Sequence, residues 1–277
     1  MQFKSANHPE TEEGLQYHLR VKPGDLQGVV LLPGDPKRVD KIVSEWDEKT
    51  KKAEYRQFIS YTGKYKGTPI SVTSTGIGPA ACEIVLPELH AIGIHDVIRV
   101  GSCGALQEEI EIGDVVISTA AVKLEDSSHH YVRPTFPAIA NYEIIMALIQ
   151  ACEENNIPYH VGITASSSSF YGGQGRPLPT GYISHWSEKV YEEMKQSGVK
   201  NFEMEASLIF TLSHILGMRA GAIAAVYANR ATNEFGVKGE ENAIKAANEA
   251  VKILHDLDED KNKAGNKKYW YPKIRKI

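Results

Sequence analysis

The chain has 277 residues, 42% of them apolar, and carries 31 lysines and arginines against 35 acidic residues, for a formal net charge of −4. That size fills one large α/β domain or two small ones. The negative balance argues against a body that holds nucleic acid through unspecific charge, and no apolar run in the sequence is long enough to cross a bilayer. The opening residues, Met-Gln-Phe-Lys-Ser-Ala-Asn, have no apolar signal-peptide core. Cys82, Cys103 and Cys152 are widely spaced and odd in number. They form neither a metal pattern nor a disulfide framework, so the expected location is a reducing cytoplasm.

In chain order, residues 1–27 are polar and are expected to wrap the surface. A buried strand is predicted over 28–32, followed by Pro33-Gly34-Asp35-Pro36. Asp35 suits an N-cap and Pro36 a first helical position, so a helix should run to about Trp46. Residues 55–61 and 69–74 alternate like strands around a turn at Gly67. Thr75-Gly76-Ile77-Gly78-Pro79 turns into a helix that ends near Gly93. Val97, Ile98 and Val100 read as a buried strand that Gly101 and Gly104 break into a turn, and a further strand is expected over 114–119. Residues 120–139 read as a long irregular loop, 141–154 as a helix and 159–165 as a strand. The Ser-, Gly- and Pro-rich stretch 166–184 is long enough to suggest a functional loop. Helices over 185–197 and 205–216, a strand over 220–227 and a helix over 242–257 complete the body. Strands alternating with helices, without a repeat or a dividing linker, predict a single α/β domain over 1–260 with a central mixed sheet flanked by helices. A basic aromatic tail follows over 261–277. In it Lys261, Lys263, Lys267, Lys268, Lys273, Arg275 and Lys276 surround Tyr269, Trp270 and Tyr271. Such a tail either docks its rings on the protein or a neighbouring subunit, or binds single-stranded nucleic acid.

Three constellations carry chemistry. Arg99 sits inside an apolar strand, where an unpaired cation is costly, and Ser102 adds a hydroxyl and backbone donors just beyond it. Gly34 precedes a helix start whose free N–H groups favour an anion; Arg38 lies one turn into that helix, and Arg56 flanks another strand position. Each arginine alone fits a surface ion pair, and together they fit an anion site. In Phe170-Tyr171-Gly172-Gly173-Gln174-Gly175-Arg176, an amide and a guanidinium two residues apart form a fork of donors with one acceptor. The fork suits a planar ligand with alternating carbonyl and N–H groups, on which Phe170 could stack. In Asn201-Phe202-Glu203-Met204-Glu205-Ala206, Glu205 opens an apolar helical run. Its carboxylate either answers the helix macrodipole or accepts hydrogen bonds from vicinal hydroxyls, with Met204 as an apolar floor. The adjacent His129-His130 lack a complete ligand set, and no metal is expected.

The order and spacing of Pro33-Gly34-Asp35-Pro36-Lys37-Arg38-Val39, Ser74-Thr75-Gly76-Ile77-Gly78, the 170–176 loop and residues 201–205 resemble the nucleoside phosphorylase family, in particular its uridine branch. The resemblance begins at Tyr17-His18-Leu19 and runs to the 242–257 helix. It implies the fold of that family and reversible phosphorolysis of uridine to uracil and ribose 1-phosphate. Gly34, Arg38, Arg99 and Ser102 would hold phosphate, with Arg56 from a neighbouring subunit. Met204 and Glu205 would hold the ribose, with the neighbour's copy of His18 at the 5′-hydroxyl. Gln174 and Arg176 would read the base beside Phe170, with Arg230 near the base loop. Arg99, Arg176 and Glu205 would carry the catalysis. Phosphate is then a co-substrate, and no cofactor is implied. The resemblance further implies a dimer with shared active sites, assembled into a hexamer. Ser102-Cys103 replaces two threonines common among relatives, and Gln57 replaces a glutamate through which some bacterial relatives bind a monovalent cation, which puts that cation in doubt. Ala228, in Val226-Tyr227-Ala228-Asn229, stands where purine-specific relatives carry an acid. A purine nucleoside phosphorylase, a nucleosidase of the same fold and a nucleic-acid-binding protein acting through the tail are the alternatives.

Overall fold

The computed structural model describes residues 5–274, so residues 1–4 and the Arg275 and Lys276 of the expected tail lie outside the described residues. Alternation along the first strand already sets the architecture. In β1 (Val29–Pro33), Val29 and Leu31 enter one apolar cluster while Val30 and Leu32 enter another. Successive side chains of a strand point to opposite faces, so this sheet is covered on both. On one face lie α1 (Pro36–Ser44), α3 (Tyr142–Glu154) and α6 (Glu240–Lys263). On the other lie α2 (Pro79–Ala91) and α5 (Ala206–Ile215). The short α4 (Val190–Gln196) sits near the base of the 166–184 loop.

The remaining strands are β2 (Glu48–Tyr55), β3 (Phe58–Tyr65), β4 (Thr68–Thr73), β5 (Asp96–Ala105), β6 (Val115–Leu124), β7 (Ala138–Ile139), β8 (Tyr159–Ser167), β9 (Asn201–Glu203), β10 (Arg219–Asn229) and β11 (Glu234–Phe235). Their order in one mixed sheet is β11-β10-β6-β8-β9-β5-β1-β4-β3-β2, and β10 also pairs with β5. Strands β5, β10, β6, β8 and β9 therefore form a closed circuit. β1, β4 and β10 run parallel to β5 or to its parallel neighbour, so their carboxyl ends open on one edge, the usual place for a ligand in an α/β sheet. The single α/β domain with a central mixed sheet is the fold the sequence predicts.

Several local expectations are corrected. The 55–61 run is not one strand. It crosses the β2–β3 hairpin, whose turn holds Arg56 at φ 54. β2 is almost wholly exposed and rich in lysine and glutamate, so it carries no apolar signal. Gly101 and Gly104 do not end β5, because β10 pairs with it through Ala105. The stretch 120–139 is partly ordered: β6 continues to Leu124, a 3-10 turn spans Ser127–His130, and β7 pairs with β6. Helix α4 begins at Val190 rather than at 185. In the N-terminal segment Leu19 and Val21 are fully buried, so it contributes to the core as well as covering it. Among the described residues no helix is long and apolar enough to cross a membrane.

The end of the chain is anchored through buried charge. Helix α6 runs through Lys261 and Lys263. Arg219, at the start of β10, forms bidentate pairs with Asp96 (2.6 and 2.9 Å) and Asp258 (2.9 and 2.7 Å), and its Nη1 also donates to Glu143 at 2.8 Å. Lys261 Nζ donates to the same Glu143 oxygen at 2.8 Å, and the Trp270 backbone N–H donates to the other at 2.9 Å. Trp270 packs against the α1/α3/α6 core and Ile274 is buried, so this part of the basic aromatic tail docks on its own chain. Burial pushes the Glu143 carboxyl up, but Lys261, the Trp270 N–H and Arg219 outweigh it and hold it below the ordinary carboxylate range. A depressed carboxyl stabilises the fold fully above its ordinary pKa and loses that contribution as pH falls through the lowered value. We expect Glu143→Gln to cost about 3 kcal/mol at pH 7. The gap in melting temperature between the two proteins should close as pH drops below the carboxylate range. A gap that stays constant with pH would contradict this account.

Candidate active site

Alternation carries Arg99 to the same face as Val97, where α2 and α5 begin. There Arg99, 6% exposed, meets two carboxylates through its guanidinium. Nη2 donates to Glu205 Oε2, and Nε lies 3.4 Å from Glu203 Oε2. Nη1 is buried and has no hydrogen-bond partner among the described residues. A buried N–H without a partner costs roughly 1–3 kcal/mol, so this donor is aimed at something the chain does not supply. Gly34 is what leaves the approach open. A Cβ there would stand 3.1 Å from Gly76 O and 3.9 Å from both terminal nitrogens of Arg99.

Glu203 and Glu205 divide their work. Glu203 Oε2 accepts from the backbone N–H groups of Glu205 (2.8 Å) and Ala206 (2.9 Å), so it caps α5. Its other oxygen accepts from Ser166, whose hydroxyl accepts in turn from the Ser207 N–H at 2.8 Å. Glu205 makes no capping bond to its own helix. Its Oε1 accepts from the Gly78 N–H at 2.6 Å, so the start of α2 and the start of α5 are tied at one carboxylate. Burial pushes the Glu205 carboxyl above the ordinary range, opposed by Arg99 and reinforced by Glu203. Burial works against the Arg99 charge, but Glu205 and Glu203 keep the guanidinium protonated.

Arg38 approaches from the opposite face of the sheet. Its Nη1 donates to Val100 O at 2.9 Å and its Nε to Glu240 Oε1 at 2.8 Å. Asp35 accepts from the Lys37 N–H at 2.9 Å, which makes it the N-cap of α1 that the sequence predicts.

Gly34, Asp35, Arg38, Arg99, Glu203 and Glu205 line one cleft of about 1260 Å³ at the carboxyl edge of the sheet, with Ser102 and Met204 among its walls. Its far end is the 170–176 loop. Gln174, 2% exposed, accepts from Arg176 Nη1 through Oε1, and that nitrogen also donates to Phe170 O at 2.7 Å. The Arg176 guanidinium lies 4.1 Å from the Phe170 ring centroid. Burial, then the neighbouring charge of Arg230, lowers Arg176 to about 10. Arg230 holds the loop backbone through bonds to Gln174 O and to Gly175 O (3.3 Å), and its guanidinium lies over the rings of Tyr191 and Phe202. Ala228 lines the cleft, while the Asn229 side chain is spent on structure. The Asn229 amide donates to Gln107 O and Ile110 O, and its oxygen accepts from the Ala231 and Thr232 N–H groups.

The cleft thus brings together Gly34, Arg38, Arg99, Ser102, Phe170, Gln174, Arg176, Met204, Glu205 and Arg230, which are scattered over nearly 200 residues of sequence. Arg56 and His18 are outside it. Arg56 is exposed and lies over the Tyr55 ring. His18 Nδ1 is 2.7 Å from Glu88 Oε1, and Glu88 also accepts from the His18 and Leu19 N–H groups. Glu203 and Glu240 were missed by sequence reasoning. A glutamate in the apolar Asn201-Phe202-Glu203 run was a usable signal for the first. Nothing local marks the second. The arrangement offers an anion pocket at one end, a carboxylate and a thioether in the middle, and a donor–acceptor fork at the other.

The chain matches the Phosphorylase superfamily over residues 29–257. A uridine phosphorylase of Thermococcus kodakarensis is 54% identical over 273 residues, which cover 99% of this chain and 98% of that one. The uridine phosphorylase of Escherichia coli is 38% identical over 241 residues, 86% of this chain and 94% of the other. A guanosine phosphorylase of Halorubrum lacusprofundi is 34% identical over 237 residues, 85% and 93% of the two chains.

The unpartnered Arg99 donor generates a test that needs no nucleoside. Inorganic phosphate at about a hundred times its Kd should raise stability by about 2.7 kcal/mol, read as a rise in melting temperature. Arg99→Lys, which keeps a cation between Glu203 and Glu205 but loses the fork, should abolish most of that rise. A variant stabilised by phosphate as strongly as the wild type would show that the anion sits elsewhere.

Proposed function

The chain belongs to the phosphorylase superfamily, and we propose that within it the protein is a uridine phosphorylase, transferring the ribosyl group of uridine to phosphate and releasing uracil. The observation that carries this reading is the buried Arg99 Nη1, a donor left unpaired beside Gly34 in a cleft whose other end holds the Gln174–Arg176 fork. The relatives described as uridine phosphorylases support it.

The chemistry follows from the placement. Arg99, Arg38, Ser102 and the turn at Gly34 fix phosphate below C1′ of the sugar. Glu205 accepts from ribose hydroxyls with the lone pairs that Gly78 and Arg99 leave free, and Met204 supports the ring. As the glycosidic bond lengthens, positive charge gathers on the sugar over the phosphate, and the bonding electron pair leaves with the base. Arg176 and Gln174 stabilise that negative charge across the uracil edge, while Phe170 and Arg230 bound the base. A phosphate oxygen then bonds C1′. The rate comes from positioning and from charge stabilised in the transition state, with no covalent enzyme intermediate. Phosphate is consumed as a substrate, and the reaction needs no cofactor. Gln57 offers no charge to a monovalent cation at the β2–β3 turn.

The reading includes a shared site. His18 packs against Phe58, with ring centroids 6.4 Å apart, Arg56 lies over Tyr55, and Tyr55 and Phe58 pair across the β2–β3 hairpin. A dimer would bring this corner to the neighbour's cleft, with dimers assembling into a hexamer in the cytoplasm.

Three outcomes test the proposal. Uracil release should require phosphate; equal release in phosphate-free buffer would favour a nucleosidase. In excess phosphate, kcat/KM should favour uridine over inosine and guanosine. A purine edge leaves buried polar groups of the fork unpaired, at about 1–3 kcal/mol each, and Ala228 cannot protonate a departing purine. The guanosine-acting relative makes this comparison the decisive one. Arg176→Ala should lose uridine activity preferentially. A purine nucleoside turned over as well as uridine would overturn the base assignment.

A further inference from the structure

Arg38 is held more tightly than an anion ligand on a surface helix needs to be. Its side chain is 6% exposed, and three of its edges are occupied by groups from three distant parts of the chain. Nε donates to Glu240 Oε1 at 2.8 Å, Nη1 to Val100 O at 2.9 Å, and Nη2 to the Tyr227 hydroxyl at 3.4 Å. Each terminal nitrogen carries a second N–H that these bonds do not use, and Arg38 lines the cleft. The three partners set the plane and rotation of the guanidinium, and thereby the direction of the two remaining donors.

Of the three, only Glu240 is charged. It is the first residue of α6, where the helix macrodipole favours a carboxylate. Burial pushes its carboxyl up, but Lys41 and Arg38 outweigh that and hold it below the ordinary range, so it is ionised at neutral pH. Its second oxygen accepts from Lys41, whose ammonium is largely exposed. The carboxylate is therefore shared between a solvent-facing lysine and the cleft-facing Arg38.

We propose that Glu240 is a positioning residue for phosphate: it holds the Arg38 guanidinium at the angle that presents both spare N–H groups to the anion, and it sets phosphate affinity without touching phosphate. The inference deepens the phosphorylase reading and rests on it. It opposes the simpler electrostatic expectation, in which an acidic group beside Arg38 cancels its charge and weakens anion binding. The two differ in sign.

The test is Glu240→Gln, with phosphate and uridine varied independently and inorganic phosphate titrated calorimetrically against the enzyme without nucleoside. Loss of orientation should raise KM and Kd for phosphate about tenfold, the scale of one charge-assisted hydrogen bond. KM for uridine, and kcat at saturating phosphate, should stay near wild type. In an Arg38→Ala background the same change should have no effect on phosphate, because the path runs through Arg38. Glu240→Asp keeps the charge at the helix start and guards against misfolding; it should show a smaller rise confined to phosphate. Unchanged or tighter phosphate binding in Glu240→Gln, or an equal loss for both substrates, would overturn the proposal. The phosphate dependence of wild-type turnover separates this failure from that of the reading beneath it. A wild-type enzyme that releases base without phosphate fails as a phosphorylase, whereas phosphate-dependent turnover with an inert Glu240→Gln fails only here.

Discussion

A guanidinium buried in a central strand is the constraint around which this molecule is arranged. Placing Arg99 among Val97, Ile98 and Val100 removes a charge from water, which is tolerable only with counter-charges and complete hydrogen bonding. The fold supplies Glu203 and Glu205 from a segment more than 100 residues later. Three-residue β9 exists to deliver them: it pairs with β5 on one side and β8 on the other. Once Glu203 is there, it caps α5, and Glu205 ties α5 to the start of α2. The cost of burying one cation is offset by linking a strand and two helix starts, and that linkage forms the floor of the cleft. One donor of Arg99 remains outside the bargain. The same desolvation that makes the arrangement expensive makes that donor strong for an anion.

The architecture was legible where local chemistry and burial pattern agree. Asp35 and Pro36 start α1 as their capping chemistry requires, and the apolar spacing of α3, α5 and α6 survives in the structure with shifted ends. It was illegible where the signal is tertiary. β2 is a strand of exposed lysines and glutamates, visible only once β3 is beside it. Gly101 and Gly104 look like breaks, but pairing with β10 carries β5 through them. Gly104 itself lines the cleft beside Arg176, and a Cβ there would stand in ordinary contact with Arg176 Nη2 at 3.6 Å.

The site divides in the same way. Arginines and glutamates in apolar settings announce themselves, because their burial demands a reason; Arg99 and Glu205 are of this kind. Residues that act through another side chain leave no such mark. Glu240 stands in an acidic helix start that suits the macrodipole whether or not Arg38 is near. Arg230 resembles a base ligand from its position, yet it spends its donors on the carbonyls of Gln174 and Gly175 and holds the loop that carries the Gln174–Arg176 fork.

The two ends of the cleft are built to different stiffness, and the difference matches what each would do. At the anion end, Arg99 and Ser102 sit on a strand, Arg38 near a helix start and Gly34 in a tight turn, and both arginines are held by bonds to main chain or carboxylate. An anion that must meet C1′ along one line needs that rigidity, since a displacement of an ångström can cost about a hundredfold in rate. At the other end, Arg176 lies on a loop, stacked on Phe170 at a ring that is half exposed. Its nearest cationic neighbour is Arg230, and no carboxylate is among the groups that shift its pKa. A cation kept close to another cation, half removed from water and lowered toward 10, gains most from an anion arriving beside it. Under the proposed function, a departing base that becomes negative only in the transition state would supply that charge at the moment it is useful. In the proposed reaction the arginine would gain most at the top of the barrier, which is the asymmetry that differential binding requires.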